Sequence, residues 1–163
     1  MLKVKYFSYG SNINIERLKC RVETTKEIIN KGIPYTLKGW KLIFNAGSIY
    51  SKIAFANIVK DVKSEVEGIL YDLSPEQFNS LDRYEILYER YYFQIDNYTL
   101  GCVYITKASC VLPIEVKPDL HYLNIIIDGC KNTSLNKTYQ QLLNYKLEHY
   151  KLKKGSKHKK FLK

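Results

Sequence analysis

The chain has 163 residues, of which 45% are hydrophobic and 26% are charged. This length suffices for a buried core, and this composition argues against general disorder. No apolar run approaches the roughly 18–20 residues that a membrane-spanning helix needs. The first residues, MLKVKYFSYGSN, lack the apolar segment and cleavage site of a signal peptide. The sequence therefore predicts one globular domain in the cytoplasm.

The net charge of +10 is concentrated at the C-terminal end of the chain. Residues 146–163 contain eight lysines and one glutamate, whereas the residues before them contain 18 basic and 15 acidic side chains. A lysine block can contact nucleic acid or an anionic membrane, although few aromatic residues are interleaved here to stack on bases. We interpret residues 1–149 as the folded domain and residues 150–163 as a basic, flexible tail exposed to solvent.

The four cysteines lie far apart, at positions 20, 102, 110 and 130, and the chain has only three histidines. A zinc site needs clustered Cys and His ligands. We therefore expect free thiols, typical of a reducing compartment, and neither a metal nor a cofactor.

The N-terminal segment joins a predicted strand directly to a predicted helix. Residues 2–8 alternate apolar side chains with lysine, which predicts a β-strand, and residues 13–21 follow with helical spacing. Asn12 or Asn14 can cap this helix. If Gly10 adopts a positive φ, the chain turns sharply and exposes successive N–H groups that favour an anion. Read alone, the joint is better explained as an ordinary tight turn.

The rest of the chain alternates strand and helix signals. The sequence from Ser74 to Gln77 forms a capping box with Pro at the first helical position, and the helix that it begins places Phe78 and Leu81 inward. The other predicted elements are strands over residues 26–45, 54–59 and 65–73, a hairpin over 91–106 that turns at Asp96-Asn97, and a helix from Ser134 or Asn136 to about His149. This mixed order predicts an α+β fold with a curved or closed sheet.

Glu85 is the candidate for proton transfer. It lies in the segment SLDRYEILYERYY, beside Tyr84 and Ile86. A carboxylate among aromatic and aliphatic groups is poorly solvated, which favours its neutral form and suits proton exchange near neutral pH. The alternative is a surface carboxylate paired with Arg83 or Arg90, and the segment alone favours this alternative. A lone histidine at position 121 is better explained as structural or exposed than as catalytic.

Three segments in a fixed order carry a resemblance to a known family. YGSN near the N-terminus, LDRYE about 75 residues later, and Pro-x-x-x-Tyr before I-x-x-G together resemble the γ-glutamylcyclotransferase-like family, from about Tyr6 to Leu147. The resemblance implies an α+β fold with a six-stranded, barrel-like mixed sheet and surrounding helices. It also implies a lyase or acyltransferase of glutathione metabolism, which cyclises a γ-glutamyl-amine or γ-glutamyl-amino acid to 5-oxoproline without a cofactor or metal.

The resemblance also implies roles for particular residues. Glu85 matches the catalytic acid/base, and the substrate-binding positions match Tyr6, Phe7, Ser8, Tyr9, Gly10, Ser11 and Tyr122. The chain departs from the family pattern at Ile86, where Gly is usual, and at Asp119, where Ser is common. Either Tyr91 or Tyr92 is expected to be the further tyrosine that faces the pocket.

The sequence leaves the leaving group of the reaction open. It could be a free amino acid, the cysteinylglycine of glutathione or the ε-amine of lysine. One alternative function is a binding module that keeps the fold and a γ-glutamyl or other small ligand without turnover. Another is a protein that associates with nucleic acid through its lysine-rich tail.

Overall fold

The computed structural model describes residues 3–22, 31–50, 53–131 and 133–158. These residues form strands, α-helices and two short 3₁₀ helices. In chain order they are β1 (Lys3–Ser8), a 3₁₀ helix (Ser11–Ile13), α1 (Ile15–Val22), β2 (Ile33–Ala46), β3 (Phe55–Asp72), α2 (Pro75–Asp82), β4 (Tyr88–Gln94), β5 (Thr99–Thr106), a second 3₁₀ helix (Ala108–Cys110), α3 (Leu120–Cys130) and α4 (Asn136–His158).

The strands form one mixed sheet in the order β2-β3-β1-β5-β4. The central strand β1 pairs antiparallel with β3 and parallel with β5. The antiparallel pairs β2–β3 and β4–β5 complete the two sides. The predicted α+β fold is confirmed, but the described part of the chain contributes five strands to the sheet where six were expected. Residues 26–30 of the predicted strand 26–45 lie outside the described residues.

The sheet is open in its hydrogen bonding, yet it curves until its two edge strands meet through side chains. Tyr35 on β2 lies 6.0 Å from Phe93 on β4, and Trp40 lies 5.3 Å from Tyr91, measured between ring centroids. The Lys60 ammonium sits 3.9 Å from the centroid of the Trp40 ring. We call these contacts between β2 and β4 the aromatic seam. The barrel-like shape thus rests on ring contacts and not on a closed ladder.

β3 is one long strand where the sequence predicts two. Its register with β2 shifts at Gly39, which has φ +80°. Opposite this point Asp61 accepts hydrogen bonds from the N–H of Lys63 (3.0 Å) and the hydroxyl of Ser64 (2.8 Å). This local bulge accommodates a run of polar residues without ending the strand, which explains why polarity alone suggests a break.

The helix α2 begins as the sequence predicts. The Ser74 hydroxyl accepts from the N–H of Gln77 (3.3 Å), and the Gln77 side chain accepts from the N–H of Ser74 (2.9 Å). Phe78 and Leu81 are buried, as expected. The last helix, α4, continues to His158, beyond the predicted end.

The helix α3 has no counterpart among the predicted elements, although its buried residues recur at helical spacing, at Leu123, Ile126, Ile127 and Cys130. The three consecutive isoleucines at positions 125–127 obscure that period in the sequence. The helix packs against the N-terminal segment. A Cβ at Gly129 would lie 2.5 Å from the backbone nitrogen of Asn14, so a larger residue would push α3 away. Asp119 caps α3 by accepting from the N–H groups of His121 (2.8 Å) and Tyr122 (3.2 Å). Cap and close packing together fix Tyr122 beside the N-terminal loop.

Candidate active site

The N-terminal loop runs from the end of β1 into the first 3₁₀ helix. Gly10 has φ −114°, so the condition of a positive φ is not met. The loop turns instead through the 3₁₀ helix, in which the N–H of Ile13 donates to the Gly10 carbonyl (3.0 Å). Among the described residues, the N–H groups of Ser11 and Asn12 have no backbone acceptor. They are therefore available to a ligand, as donors at a helix start usually are.

Gly10 keeps open the space between the N-terminal loop and Tyr122. A Cβ at Gly10 would lie 3.4 Å from the Cβ of Ala56 and 3.6 Å from the hydroxyl of Tyr122. Such a carbon would be in ordinary contact with both, so the backbone would tolerate it, but it would occupy the space between the loop and Tyr122.

Glu85 follows α2 and points toward this loop. Its Oε1 accepts from the side-chain amide of Asn12 (3.0 Å) and from Nη1 of Arg21 (3.1 Å), and only 12% of its side chain is exposed. The same Nη1 also donates to the side-chain oxygen of Asn12 (3.0 Å). Glu85 is thus a largely buried carboxylate whose partner comes from α1. Among the described residues, neither Arg83 nor Arg90 pairs with Glu85, and Arg90 pairs with Asp82 instead.

The surroundings of Glu85 act on its proton in opposite directions. Burial raises the pKa of Glu85 above its ordinary value, while the positive charge of Arg21 and the hydrogen bond from Asn12 oppose that rise. The net rise brings the carboxyl closer to proton exchange at neutral pH. In the described part of the chain, the other carboxylate oxygen, Oε2, accepts no hydrogen bond.

Tyrosines form most of the remaining wall. The hydroxyl of Tyr122 accepts from the N–H of Ala56 (3.2 Å), and the hydroxyl of Tyr88 donates to the Ala56 carbonyl (2.9 Å). The hydroxyl of Tyr6 accepts from Asn12 (2.9 Å). Burial raises the pKa of Tyr122 to about 12 and raises the pKa values of Tyr6 and Tyr88 as well. These phenols are therefore neutral hydrogen-bonding groups at physiological pH.

Two cavities meet at Glu85. The inner cavity, of about 40 Å³, is lined by Tyr6, Tyr9, Gly10, Ser11, Asn12, Ala56, Glu85, Tyr88, Tyr104 and Tyr122. The outer cavity, of about 320 Å³, adds the side chains of Arg17, Arg21, Phe55, Tyr84, Ile86 and Leu87. The two share Ser11, Glu85, Tyr88 and Tyr122. The carboxylate therefore stands between a narrow polar space and a wider, positively charged one.

The structure brings together most of the residues expected at the site. Tyr6, Tyr9, Gly10, Ser11, Glu85 and Tyr122 all line the inner cavity. Phe7 does not, because it is fully buried and packs against Tyr35 and Phe93 on the other side of β1. Ser8 is also buried outside the lining, and its hydroxyl has no hydrogen-bond partner among the described residues.

Several residues of the site were not singled out from the sequence. The tyrosine of β4 that faces the pocket is Tyr88, and Tyr104 of β5 lines it as well. Tyr91 packs in the aromatic seam, and Tyr92 lines a different cavity. Arg17 and Arg21 stand four residues apart on α1, a spacing that places two side chains on one helix face. That spacing was the available signal, but nothing in the sequence locates their face beside Glu85.

The fold and the site define an α+β domain with a buried carboxylate beside a strand-to-helix loop. The family model described as gamma-glutamyl cyclotransferase, AIG2-like, matches residues 6–121. The chain belongs to this family.

Comparison with solved structures supports the same fold. A structure named gamma-glutamyl cyclotransferase is 24% identical, with 86% of each chain covered and a TM-score of 0.69. The uncharacterized protein loc79017 from Homo sapiens is 22% identical, with 85% of each chain covered and a TM-score of 0.65. YkqA from Bacillus subtilis is 18% identical over 86% of this chain and 54% of its own, with a TM-score of 0.61. No curated protein matches the chain.

Among the described residues, no group of three or more His, Cys, Asp or Glu side chains could hold a metal ion. Over the same residues, none of the helices combines the length and the apolar character required to cross a bilayer.

Proposed function

We propose that this chain cyclises a γ-glutamyl compound to 5-oxoproline and releases the amine, with Glu85 as general acid and base. The observation that carries this proposal is the position of the Glu85 carboxylate at the border of the two cavities. A scissile amide beside it would direct its glutamyl part toward the inner cavity and its leaving amine toward the outer one. Family membership supports the class of reaction.

The substrate of such a reaction supplies its own nucleophile. Its α-amine is an ammonium at neutral pH and must lose a proton before it can attack the γ-carbonyl. A C–N bond then forms to close the ring, and the original amide C–N bond breaks once its nitrogen is protonated. Two protons move in total from the attacking nitrogen to the leaving one, so that the amine departs as an ammonium. One carboxylate can carry these protons in turn.

The loop and the tyrosines would hold the reacting groups in place. The N–H groups of Ser11 and Asn12 have no backbone acceptor in the described residues and can bind the substrate's α-carboxylate or the developing oxyanion. The hydroxyl of Tyr122 accepts from Ala56 and so keeps its own proton for donation into the cavity. Fixing the flexible glutamyl chain in a ring-like pose can remove several kcal/mol of barrier.

We propose direct contact with the substrate for some of the expected binding residues and an indirect, positioning role for others. Tyr6, Tyr9, Gly10, Ser11 and Tyr122 would contact the substrate, because all five line the inner cavity. Phe7 and Ser8 would act by fixing the end of β1, because their side chains lie outside that lining.

The experiment is to incubate the full chain with γ-glutamyl-amino acids, glutathione and ε-(γ-glutamyl)lysine, and to measure 5-oxoproline, glutamate and the released amine. We expect 5-oxoproline and amine in equal amounts from at least one compound. Glutamate in place of 5-oxoproline would mean hydrolysis and would contradict cyclisation. Binding of these compounds, measured by calorimetry, without any product would identify a binding module.

A further inference from the structure

We propose that Arg17 selects the leaving group by binding a carboxylate on the departing amine. This inference rests on the proposed function, because it concerns the half of the substrate that leaves. It identifies the preferred substrates as γ-glutamyl compounds whose amine part carries a carboxylate close to the scissile nitrogen, as an α-amino acid does.

The position of Arg17 places its charge at the junction of the cavities. The residue belongs to α1 and lines the outer cavity, and its Nε donates to the hydroxyl of Ser11 at 3.1 Å. Ser11 itself borders both cavities. The guanidinium is therefore anchored next to the place where the scissile amide would lie, on the side of the leaving amine.

Arg17 also forms no ion pair with the residues that the structure describes. The other guanidinium of the outer cavity, on Arg21, is paired with Glu85 at 3.1 Å. Within the described residues Arg17 has no acidic partner, and its side chain is only partly exposed. Burial and the neighbouring Arg21 lower the pKa of Arg17, and the charge of Glu85, which lies beyond ion-pair distance of Arg17, opposes this only in part. The cavity thus contains one more cation than anion among the residues that line it, and a bound carboxylate would balance the charge.

The chemistry of the wall fits the rest of an amino acid. A guanidinium offers parallel donors that match the two oxygens of a carboxylate. Phe55 and Leu87 supply apolar surface to the outer cavity, and Ile86, where the family usually has Gly, stands exposed at its mouth. An amine without a carboxylate could use the apolar surface but would leave Arg17 uncompensated.

A purely structural role is the alternative for Arg17, since its bond to Ser11 could serve only to hold the loop. The two roles differ in what they predict for substrates of equal size. Loss of a structural residue would reduce turnover of every substrate by the same factor. Loss of a carboxylate-binding residue would reduce turnover chiefly of substrates that carry the carboxylate.

The test compares γ-glutamyl-alanine with γ-glutamyl-alaninamide, which have nearly the same shape and differ in one charge. We expect the wild type to prefer the free acid by about 10- to 100-fold in kcat/KM, as is typical of a charged hydrogen-bonded contact. Arg17→Met should bring this ratio close to one, and Arg17→Lys should keep part of it. Lys19→Met is the matched control, because it removes a positive charge from the same helix at a residue that pairs with Glu16.

Each result has a distinct meaning. Equal wild-type kcat/KM for acid and amide would overturn the role of Arg17 while leaving cyclisation intact. An unchanged ratio in Arg17→Met, or an equal loss for both substrates, would also overturn it. Formation of 5-oxoproline from neither compound nor from any other γ-glutamyl substrate would instead refute the proposed function, and the inference with it. Thermal unfolding of each variant identifies any that fail to fold.

Discussion

Replacing Glu85 with Gln should separate catalysis from folding. The change keeps the size of the side chain and its Oε1, so the donors on Asn12 and Arg21, at 3.0 and 3.1 Å, retain an acceptor. The variant cannot exchange a proton, however. General acid–base catalysis contributes about 10²- to 10⁴-fold to a rate, or about 3–5 kcal/mol of barrier. We therefore expect kcat to fall by this factor with a smaller change in KM.

The same substitution should not reduce stability at neutral pH. Burial raises the pKa of Glu85 even though Arg21 attracts its negative charge, so the ionised carboxyl is disfavoured in the folded state. Protonated Glu85 contributes to the stability of the folded state below the ordinary Glu pKa of about 4.3. This contribution is lost as the pH rises through the raised pKa of Glu85 in the folded state. In Glu85→Gln the side chain is neutral at every pH, so this loss of stability at neutral pH does not occur. The variant's unfolding midpoint at pH 7 should therefore equal or exceed that of the wild type, and the difference should shrink toward pH 4.

The assays are 5-oxoproline release and thermal unfolding followed over pH 4–8. Glu89→Gln is the matched control, since Glu89 is exposed on the nearby strand β4 and should keep wild-type kcat. Activity of Glu85→Gln within tenfold of the wild type would refute the role of Glu85. A lower unfolding midpoint at pH 7 would show that the ionised carboxylate is structural, contrary to the direction of its pKa.

Substitutions at three other positions test the site and the helix cap that supports it. Tyr122→Phe leaves the buried N–H of Ala56 without its acceptor and should lower the free energy of unfolding by about 1–3 kcal/mol in urea titrations; no change would mean that water replaces the hydroxyl. Asn12→Ala removes one donor from Glu85, which should raise the pKa of Glu85 further and move the acidic limb of the kcat/KM–pH profile upward; an unmoved limb would contradict this. Asp119→Ala removes a helix cap and should cost about 0.5–2 kcal/mol of stability, whereas Asp119→Ser should retain most of it; equal losses in both would argue against capping.

Local signals in the sequence predict local structure well here. The capping box of α2 and the hairpin of β4 and β5 depend on residues adjacent in the chain, so the pattern contains the information. The break expected within β3 is wrong because a local bulge at Asp61 lets the strand continue through a run of polar residues, and polarity alone does not distinguish such a bulge from a loop. The helix α3 is absent from the predictions because three consecutive isoleucines obscure the helical spacing of its buried residues.

For the site, too, residues within recognisable sequence motifs are predicted, whereas contacts that depend on tertiary packing are not. YGSN, LDRYE and Tyr122 each match a family motif, and residues from all three line one cavity. The partner of Glu85 is different, since Arg21 is 64 residues away along the chain while Arg83 and Arg90 are close. Only the packing of α1 beside the end of α2 brings Arg21 to the carboxylate. Tyr88 is unexpected for a similar reason, because the curvature of the sheet decides which tyrosine of β4 faces inward.

The aromatic seam makes the barrel easier to open along one line than along any other. Elsewhere, parting two neighbouring strands breaks a ladder of backbone hydrogen bonds, whereas parting β2 from β4 breaks ring contacts worth about 0.5–1.5 kcal/mol each. The N–H of Thr106 on β5 donates across the opening to the side-chain oxygen of Asn57 on β3 (3.2 Å). A second polar tie joins the Tyr88 hydroxyl of β4 to the Ala56 carbonyl of β3. This tie is also part of the cavity wall. Separation of β2 from β4 is therefore expected to break the hydrogen bond between Tyr88 and Ala56. The same motion should widen access to the inner cavity.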